Sequence, residues 1–323
     1  MSSMRKYFII LLALISSNLF AQLGGTPGAF ARLGFGARGI SMGNAMTSVI
    51  TGDVIGYYNP AVSSFQNEHL IQASYSFLSF DRSLNFLSYT KNFKVQSELG
   101  AGITFSWINA GVSKIDGRDA DGFKIGEFSV FENQFLFAPS IRVSEKIAIG
   151  FGFKFYFSKL FEGVKSTSIG FDGGAIYKAN DKLTFGLAVK DIKARYEWNT
   201  TEIYGANGTT TKDKFPVLYT LGVSYLLPKN YGLVALDYQT TNKRSNQIKM
   251  GIEITPVKDI NFRAGFDRFD WNEPDKFGNS RFMFGLGYQK LTKNFIIGFN
   301  YSFVMEAYSN RPFQTITAVF KIK

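Results

Sequence analysis

Large apolar residues occupy every second position between Lys146 and Phe157. The intervening positions hold lysine, alanine, glycine and tyrosine, which are small, polar or charged. Because a β-strand points successive side chains to opposite faces, this segment has one apolar face and one polar or sterically small face. About ten residues of such alternation is the length that a tilted strand needs to cross a membrane. The pattern predicts a transmembrane β-strand.

The same alternation recurs along most of the chain, in about fourteen segments. They cover residues 69–78, 83–92, 97–109, 128–142, 145–157, 166–178, 182–197, 215–227, 231–240, 246–255, 258–268, 280–290, 293–304 and 313–322. The expected fold class is therefore all-β, with a transmembrane antiparallel β-barrel of about 14 strands over residues 69–323.

The connections between the segments support this prediction. Those after even-numbered segments are short and rich in Pro, Asn, Asp and Ser, which favour turns. Several connections after odd-numbered segments are long, namely 110–127, 198–214 and 269–279. Bacterial barrels pair short periplasmic turns with longer external loops, so both termini are expected in the periplasm. A soluble β-sandwich also alternates, but it accounts less well for this asymmetry, the long strands and the aromatic outer face.

The N-terminus carries the one continuous apolar run of the sequence. Arg5 and Lys6 precede an apolar stretch over residues 7–15, and a cleavage site is predicted after Ala21. These features predict a signal peptide over residues 1–21 and export beyond the inner membrane. No apolar stretch reaches the ~18 residues that a membrane helix requires.

The composition argues against catalysis. The chain has no cysteine and a single histidine, His69, so thiol chemistry, a catalytic triad and a clustered His or Cys metal site are not expected. We predict no enzyme activity, no cofactor and no metal. The formal net charge is +11, but the lysines are scattered among turns and strand faces. This distribution favours a solvated surface over binding of nucleic acid.

The predicted inward face of the strands carries a set of charged residues. They are Lys146, Lys154, Lys190, Lys249, Glu253, Arg263, Asp267 and Arg281. Opposite charges on neighbouring strands can pair across a polar lumen, and this interpretation is favoured. The alternative is a charged wall that attracts an anionic solute. The choice depends on strand register, so both interpretations stay open.

Residues 22–68 lack strand alternation and form a separate segment, called the hatch below, which we expect inside the lumen. Gly34, Gly36 and Gly39 match the spacing of a dinucleotide-binding loop, but no strand–helix unit surrounds them, so no nucleotide site is predicted. The small residues in this region predict instead a helix over 37–49 that packs closely in the lumen. Asn59-Pro60 predicts a turn just before the first membrane strand.

The hatch contains the pattern G-A-R-x-x-x-M-G-x-A, then an acidic residue, then Y-x-N-P-A. The residues concerned are Gly36, Ala37, Arg38, Met42 and Gly43, then Asp53, then Tyr57, Tyr58, Asn59, Pro60 and Ala61. With them the chain resembles the PorV/PorQ family of FadL-like outer-membrane β-barrel proteins. The resemblance implies a 14-stranded barrel with a partly helical hatch folded into the lumen. Two segments depart from the family pattern, Val62-Ser63-Ser64 and the C-terminal Phe320-Lys321-Ile322-Lys323.

The resemblance implies two alternative functions in the outer membrane of a Gram-negative bacterium. PorV-like proteins serve the type IX secretion system, so the first expectation is a barrel that binds the C-terminal domains of secreted cargo and other secretion components. FadL-like proteins take up hydrophobic compounds, so the second is a transporter with a hydrophobic ligand in the lumen and the hatch as its gate. Outer-membrane lipid is an expected partner in both cases.

Overall fold

The computed structural model describes residues 25–94, 99–243, 245–271, 280–306 and 311–322, and the predicted signal peptide lies outside them. The strands are β1 (His69–Phe77), β2 (Arg82–Lys94), β3 (Gly100–Arg118), β4 (Lys124–Arg142), β5 (Ile147–Phe161), β6 (Val164–Lys178), β7 (Leu183–Ile192), β8 (Arg195–Asn199), β9 (Thr210–Lys214), β10 (Leu218–Leu226), β11 (Gly232–Thr241), β12 (Asn246–Val257), β13 (Ile260–Asp270), β14 (Arg281–Leu291), β15 (Phe295–Met305) and β16 (Phe313–Ile322). The helices are α1 (Ala37–Ser41) and α2 (Thr201–Tyr204), with 3-10 helices at Ala29–Arg32, Pro60–Phe65, Gly205–Asn207 and Pro228–Asn230.

Fourteen strands of the described chain, β1–β7 and β10–β16, close into one antiparallel barrel. The seam between the first and last strands is complete, because β1 pairs with β2 on one side and with β16 on the other. Ala73, for example, lies opposite Leu87 of β2 and Ala318 of β16. The predicted barrel and its strand number are confirmed.

The barrel presents apolar side chains outward and small or polar side chains inward. On β5, Phe151 is 49% exposed, whereas the inward Lys154 is 1% exposed. An apolar outer surface of this extent is stable against hydrocarbon and unstable against water. The barrel strands are therefore the membrane-spanning elements. Among the described residues, no helix has the length and hydropathy that a membrane span requires.

The hatch runs through the lumen. Residues 34–49 and 53–64 are all buried. Helix α1 contacts β13–β16, and the 3-10 helix Pro60–Phe65 contacts β2–β6, so the hatch spans the lumen from wall to wall. The predicted helix over 37–49 is wrong beyond Ser41. Gly43 and Asn44 have φ angles of 62° and 57°, in the left-handed region that ends a helix.

Two predicted boundaries also differ at the end of the barrel that carries the long connections. Strand β3 continues to Arg118, and β4 begins at Lys124. Most of the predicted loop 110–127 is therefore a projecting hairpin. The predicted strand 182–197 breaks after β7, where Asp191 and Lys193 adopt φ angles of 63° and 64°. The chain then forms the separate hairpin β8–β9 within 195–214. Of the predicted loop 269–279, residues 272–279 lie outside the described residues.

Inward glycines let the hatch backbone lie directly against the wall. A Cβ atom at Gly251 of β12 would overlap the carbonyl oxygen of Met42, and one at Gly150 of β5 would overlap the backbone of Pro60 and Ala61. Close packing of hatch against wall therefore requires glycine at these two positions.

We expect Gly251→Ala to lower the free energy of unfolding by about 1–3 kcal/mol, because the added methyl group must displace the Met42 backbone. Urea unfolding of the protein in lipid vesicles measures the change. The matched control is Gly173→Ala on β6, where a Cβ would meet open space. Equal unfolding curves for the two variants would contradict the close approach.

Candidate functional site

Helix α1 is tied to the barrel wall by a buried ion pair. Arg38 donates from Nε and Nη2 to the two carboxylate oxygens of Glu253 on β12, both at 2.8 Å. Glu253 also accepts from Nε of Arg263 on β13 at 2.6 Å, and Arg263 reaches Asn300 of β15 at 2.8 Å. Arg38 in addition donates to the carbonyl oxygen of Thr51, which fixes the hatch chain onto its own helix. One carboxylate thus joins the hatch to two wall strands.

Asp53 forms a second anchor near the short-turn end of the barrel. Its carboxylate lies 2.6 Å from Nζ of Lys321 on β16 and accepts from Gln289 of β14 at 2.8 Å. Burial disfavours the charged carboxylate, but the charges of Lys321 and Arg38 outweigh it and hold the pKa of Asp53 below its usual range. The resulting stabilisation is complete above the unfolded-state pKa and is lost as the pH falls through the lowered folded-state pKa. The anchor therefore persists at neutral pH.

A third anchor holds the left-handed turn after α1. Asn44 donates to Asp267 of β13 at 2.7 Å, and Asp267 also binds the guanidinium group of Arg281 on β14, with Nε at 2.8 Å. The Tyr58 hydroxyl donates to Asn44 at 2.9 Å and lies 3.0 Å from the carbonyl oxygen of Phe35. Tyr58 was among the residues predicted from the sequence motif, but Asn44 was not. Neither its charge nor its position in a periodic pattern distinguishes Asn44 from other residues of the hatch.

Asn59-Pro60 does more than make a turn. Pro60 begins the 3-10 helix, and Oδ1 of Asn59 accepts from the backbone nitrogen of Ala61 at 3.0 Å. The side-chain nitrogen of Asn59 donates to the Thr47 carbonyl oxygen at 2.8 Å and to carbonyl oxygens of Ala175 and Leu187 on β6 and β7. The Asn59 side chain therefore caps the helix and ties two parts of the hatch to the wall.

The structure separates the predicted lumen charges into four groups. Glu253, Arg263, Asp267 and Arg281 form the anchors just described. Lys154 is buried between Asp172 and Asp191, at 2.8 and 2.6 Å. The prediction that Lys146 faces the lumen is wrong, because this residue lies in the turn before β5 and is exposed.

Lys190 and Lys249 differ from the other lumen charges. Within the described chain, neither has a carboxylate within ion-pair distance. The Lys190 ammonium group lies 4.0 Å from the ring centroid of Tyr57, and Lys249 donates to Gln239 at 2.8 Å. Pairing thus accounts for most inward charges, while these two lysines lie outside the ion pairs.

Both lysines line a cavity of about 960 Å³ at the end of the barrel with the long connections, called the mouth cavity below. Residues 25–30 and 32–34 of the hatch, together with Tyr57 and Tyr58, form its floor. The hairpin β8–β9 contributes Tyr196 and Trp198 to its side, and Tyr196 donates to Glu132 at 3.0 Å. The arrangement offers aromatic side chains beside groups of both charges, above a lumen filled by the hatch.

No family model matches the sequence, and no curated protein matches it. Several solved structures, in contrast, are similar to the chain in fold. The Pseudomonas putida toluene transporter TodX has 13% sequence identity and a TM-score of 0.59, over 89% of this chain and 97% of that one. A Pseudomonas aeruginosa FadL homologue has 11% identity and a TM-score of 0.57, over 87% and 97%. The chain has a FadL-like fold. At these identities the likeness concerns the fold alone, and the resemblance to the PorV/PorQ family stays a prediction.

We expect Glu253→Gln to destabilise the folded protein by about 3–5 kcal/mol, because it leaves two buried guanidinium groups without a carboxylate. The measurement is the urea unfolding midpoint in lipid vesicles. Asp181→Asn serves as the control, since it removes one partner of an exposed ion pair with Lys178 in the β6–β7 turn. A Glu253→Gln midpoint as close to wild type as the control would refute the role of this anchor.

Proposed function

We propose that the protein is an outer-membrane barrel of a Gram-negative bacterium that binds a hydrophobic small molecule in the mouth cavity and admits it when the hatch moves. The observation that carries the proposal is the mouth cavity above a filled lumen. The fold likeness supports it, since one neighbour is described as a monoaromatic hydrocarbon channel, with a TM-score of 0.57 and 13% identity over 90% of this chain and 99% of that one. The signal peptide over residues 1–21 remains the predicted route of export.

The size and walls of the cavity favour a small ligand with apolar surface. A volume of about 960 Å³ lies within the range of about 300–1,000 Å³ that is typical of small-molecule sites. Tyr57, Tyr196 and Trp198 supply aromatic surface, which binds apolar groups through area and ring contacts. Since the hatch is buried below the cavity, passage requires that the hatch move relative to the wall.

Binding of N-phenyl-1-naphthylamine, an uncharged aromatic dye, tests the proposal on the purified full chain in lipid nanodiscs. We expect saturable binding to the wild type and its loss in Ala110→Trp, because Ala110 lines the mouth cavity and tryptophan would fill it. Ala73→Trp on the lipid-facing side of β1 is the matched control and should bind as the wild type does. No saturable binding to the wild type, or equal binding to both variants, would reject the proposal.

Secretion of cargo proteins is a second candidate function, favoured by the projecting β3–β4 hairpin. Phe123 and Ile125 at its tip are 71% and 62% exposed, and exposed apolar residues of this kind favour contact with another protein. A deletion strain complemented with wild type or with Phe123→Ser/Ile125→Ser tests it through the surface and periplasmic proteomes. Periplasmic accumulation of proteins that share one C-terminal domain, with the variant failing to restore their export, supports this role. Unchanged secretion in the deletion strain rejects it.

A further inference from the structure

The hairpin β8–β9 continues the wall strands β7 and β10 beyond the point where they leave the barrel. In the wall, Lys190 of β7 lies opposite Leu218 of β10. In the hairpin, Arg195 of β8 lies opposite Lys214 of β9, which is a shift of one residue from the wall register. The two strands therefore stay paired with each other while they turn together out of the wall.

The register of β8 against β6 is also continuous with the wall. The ladder between β6 and β7 ends at Ile192. In the register of that last pair, Arg195 comes opposite Ser168, and its backbone nitrogen donates to the hydroxyl of that serine at 2.9 Å. The backbone nitrogen of Glu197 donates in the same way to Ser166 at 2.8 Å. Both serine side chains are buried on the inward face, so β8 lies on the lumen side of β6 and bonds to side chains in place of carbonyl groups.

The sequence of this segment would also suit the wall. Continued in the same register, the strand would have an apolar outward face and a polar inward face, namely Ile192, Ala194, Tyr196 and Trp198 outward and Lys193, Arg195 and Glu197 inward. This is the alternation of the other membrane strands. In the structure, Tyr196 and Trp198 instead line the mouth cavity. A contact outside the local pattern must therefore turn the hairpin inward.

A buried ion pair lies at the point where the strand leaves the wall. Val189 of β7 faces outward, so regular alternation would also point Asp191 toward lipid. Asp191 has a φ angle of 63°, and this left-handed conformation turns its side chain inward. There Oδ1 lies 2.6 Å from Nζ of Lys154 and accepts from the Tyr156 hydroxyl at 2.7 Å. A carboxylate is costly in hydrocarbon, and a buried lysine is costly without a partner, so the ion pair favours the bend.

Asp172 of β6 supports the bend from the wall. Its carboxylate lies 2.8 Å from Nζ of Lys154 and accepts from the backbone nitrogen of Asp191 at 2.9 Å. The chain after the bend is then closed by backbone bonds, from Ala194 to the carbonyl oxygen of Asp191 at 3.3 Å and from Phe215 to that of Ala194 at 3.0 Å. Within the described chain, the lining of the mouth cavity includes none of Lys154, Asp172 and Asp191. These three residues therefore act on the cavity only through the hairpin.

We propose that Asp191, held inward by Lys154, positions the hairpin β8–β9 at the mouth and so builds the aromatic side of the mouth cavity. This deepens the proposed function and rests on it for the role of the cavity as a ligand site. Without the ion pair, the segment follows its own alternation and joins β6, which removes Tyr196 and Trp198 from the cavity. Asp191 is thus a positioning residue that does not touch the ligand.

A disulfide cross-link detects the hairpin in the wall without any ligand. The chain contains no cysteine, so Ile169→Cys/Ala194→Cys introduces a single pair. Ile169 faces outward, whereas Ala194 is buried on the lumen side, with its Cβ 3.1 Å from the place of a Cβ on Gly170. The two cysteines come directly opposite each other, within reach of a disulfide, only when β8 joins β6. Oxidation of this otherwise unchanged protein should therefore give little disulfide.

Two substitutions that remove the same charge test the role of Asp191 in this cysteine background. Valine disfavours positive φ and accepts no hydrogen bond, whereas asparagine tolerates the left-handed conformation and keeps an oxygen for Lys154 and Tyr156. We expect Asp191→Val to raise the disulfide fraction several-fold and Asp191→Asn to leave it low. Equal fractions in the two variants would overturn the proposal.

A second variant reaches the same bend from the wall side and decides the question if Asp191→Val does not form a barrel. Lys154→Met/Asp172→Asn removes the cation together with one of its two carboxylates and leaves Asp191 itself in place. We expect it also to raise the disulfide fraction several-fold. A fraction as low as that of the unchanged cysteine background would show that Lys154 does not hold Asp191, and would overturn the proposal.

Binding of N-phenyl-1-naphthylamine connects the bend to the cavity. In the chain without cysteines, we expect Asp191→Val to weaken binding several-fold, because Tyr196 and Trp198 leave the cavity, and the conservative Asp191→Asn to retain it. Wild-type affinity in Asp191→Val would contradict the positioning role. If the wild type itself binds no dye, the proposed function fails, while the cross-linking still decides whether Asp191 positions the hairpin.

Discussion

A closed ring of fourteen strands encloses more space than the inward side chains of its own wall fill, and the hatch must occupy that space. The rest of the interior follows from this constraint. Where the hatch backbone meets the wall, glycines such as Gly150 and Gly251 allow contact without a side chain between. Where charged hatch groups are buried, the wall supplies a charge of opposite sign, as Glu253 does for Arg38 and Lys321 for Asp53. The lumen is therefore built as a core, with charges in place of part of the usual hydrocarbon.

The barrel could be predicted from sequence because its determinant is local. The side chains of a lipid-facing strand must alternate between apolar and polar or small. The pattern on β5 therefore shows that Phe151 is on the face toward hydrocarbon, without knowledge of any partner strand. The same rule assigned Lys154 and Arg263 to the inward face, and both side chains are buried. It failed at Lys146, where the strand had not yet begun. It also failed at Asp191 and Lys193, where a change of backbone region redirects the chain without any break in the alternating pattern.

The backbone path and contacts of the hatch could not be predicted, because the wall residues that determine them are distant in sequence. Small residues over 37–49 are compatible with a helix, yet the turn at Gly43 is set by close contact with the backbone of Met250 and Phe266. Asn44 and Lys321 carry anchors, and each becomes recognisable only when its partner strand is in register. Lys321 does lie on the inward parity of β16, so alternation would have assigned it to the lumen. No local pattern in the sequence indicates that Lys321 pairs with Asp53.

The anchor between Asp53 and Lys321 couples the two ends of the chain. Lys321 belongs to the strand that closes the barrel against β1, and Asp53 lies a short distance before β1 in sequence. A barrel that closed without the hatch would leave Lys321 without the carboxylate of Asp53. The contact of Lys321 with Asp53 thus favours seam closure and entry of the hatch together. A chain lacking the hatch would therefore enclose a water-filled pore lined by side chains of both charges.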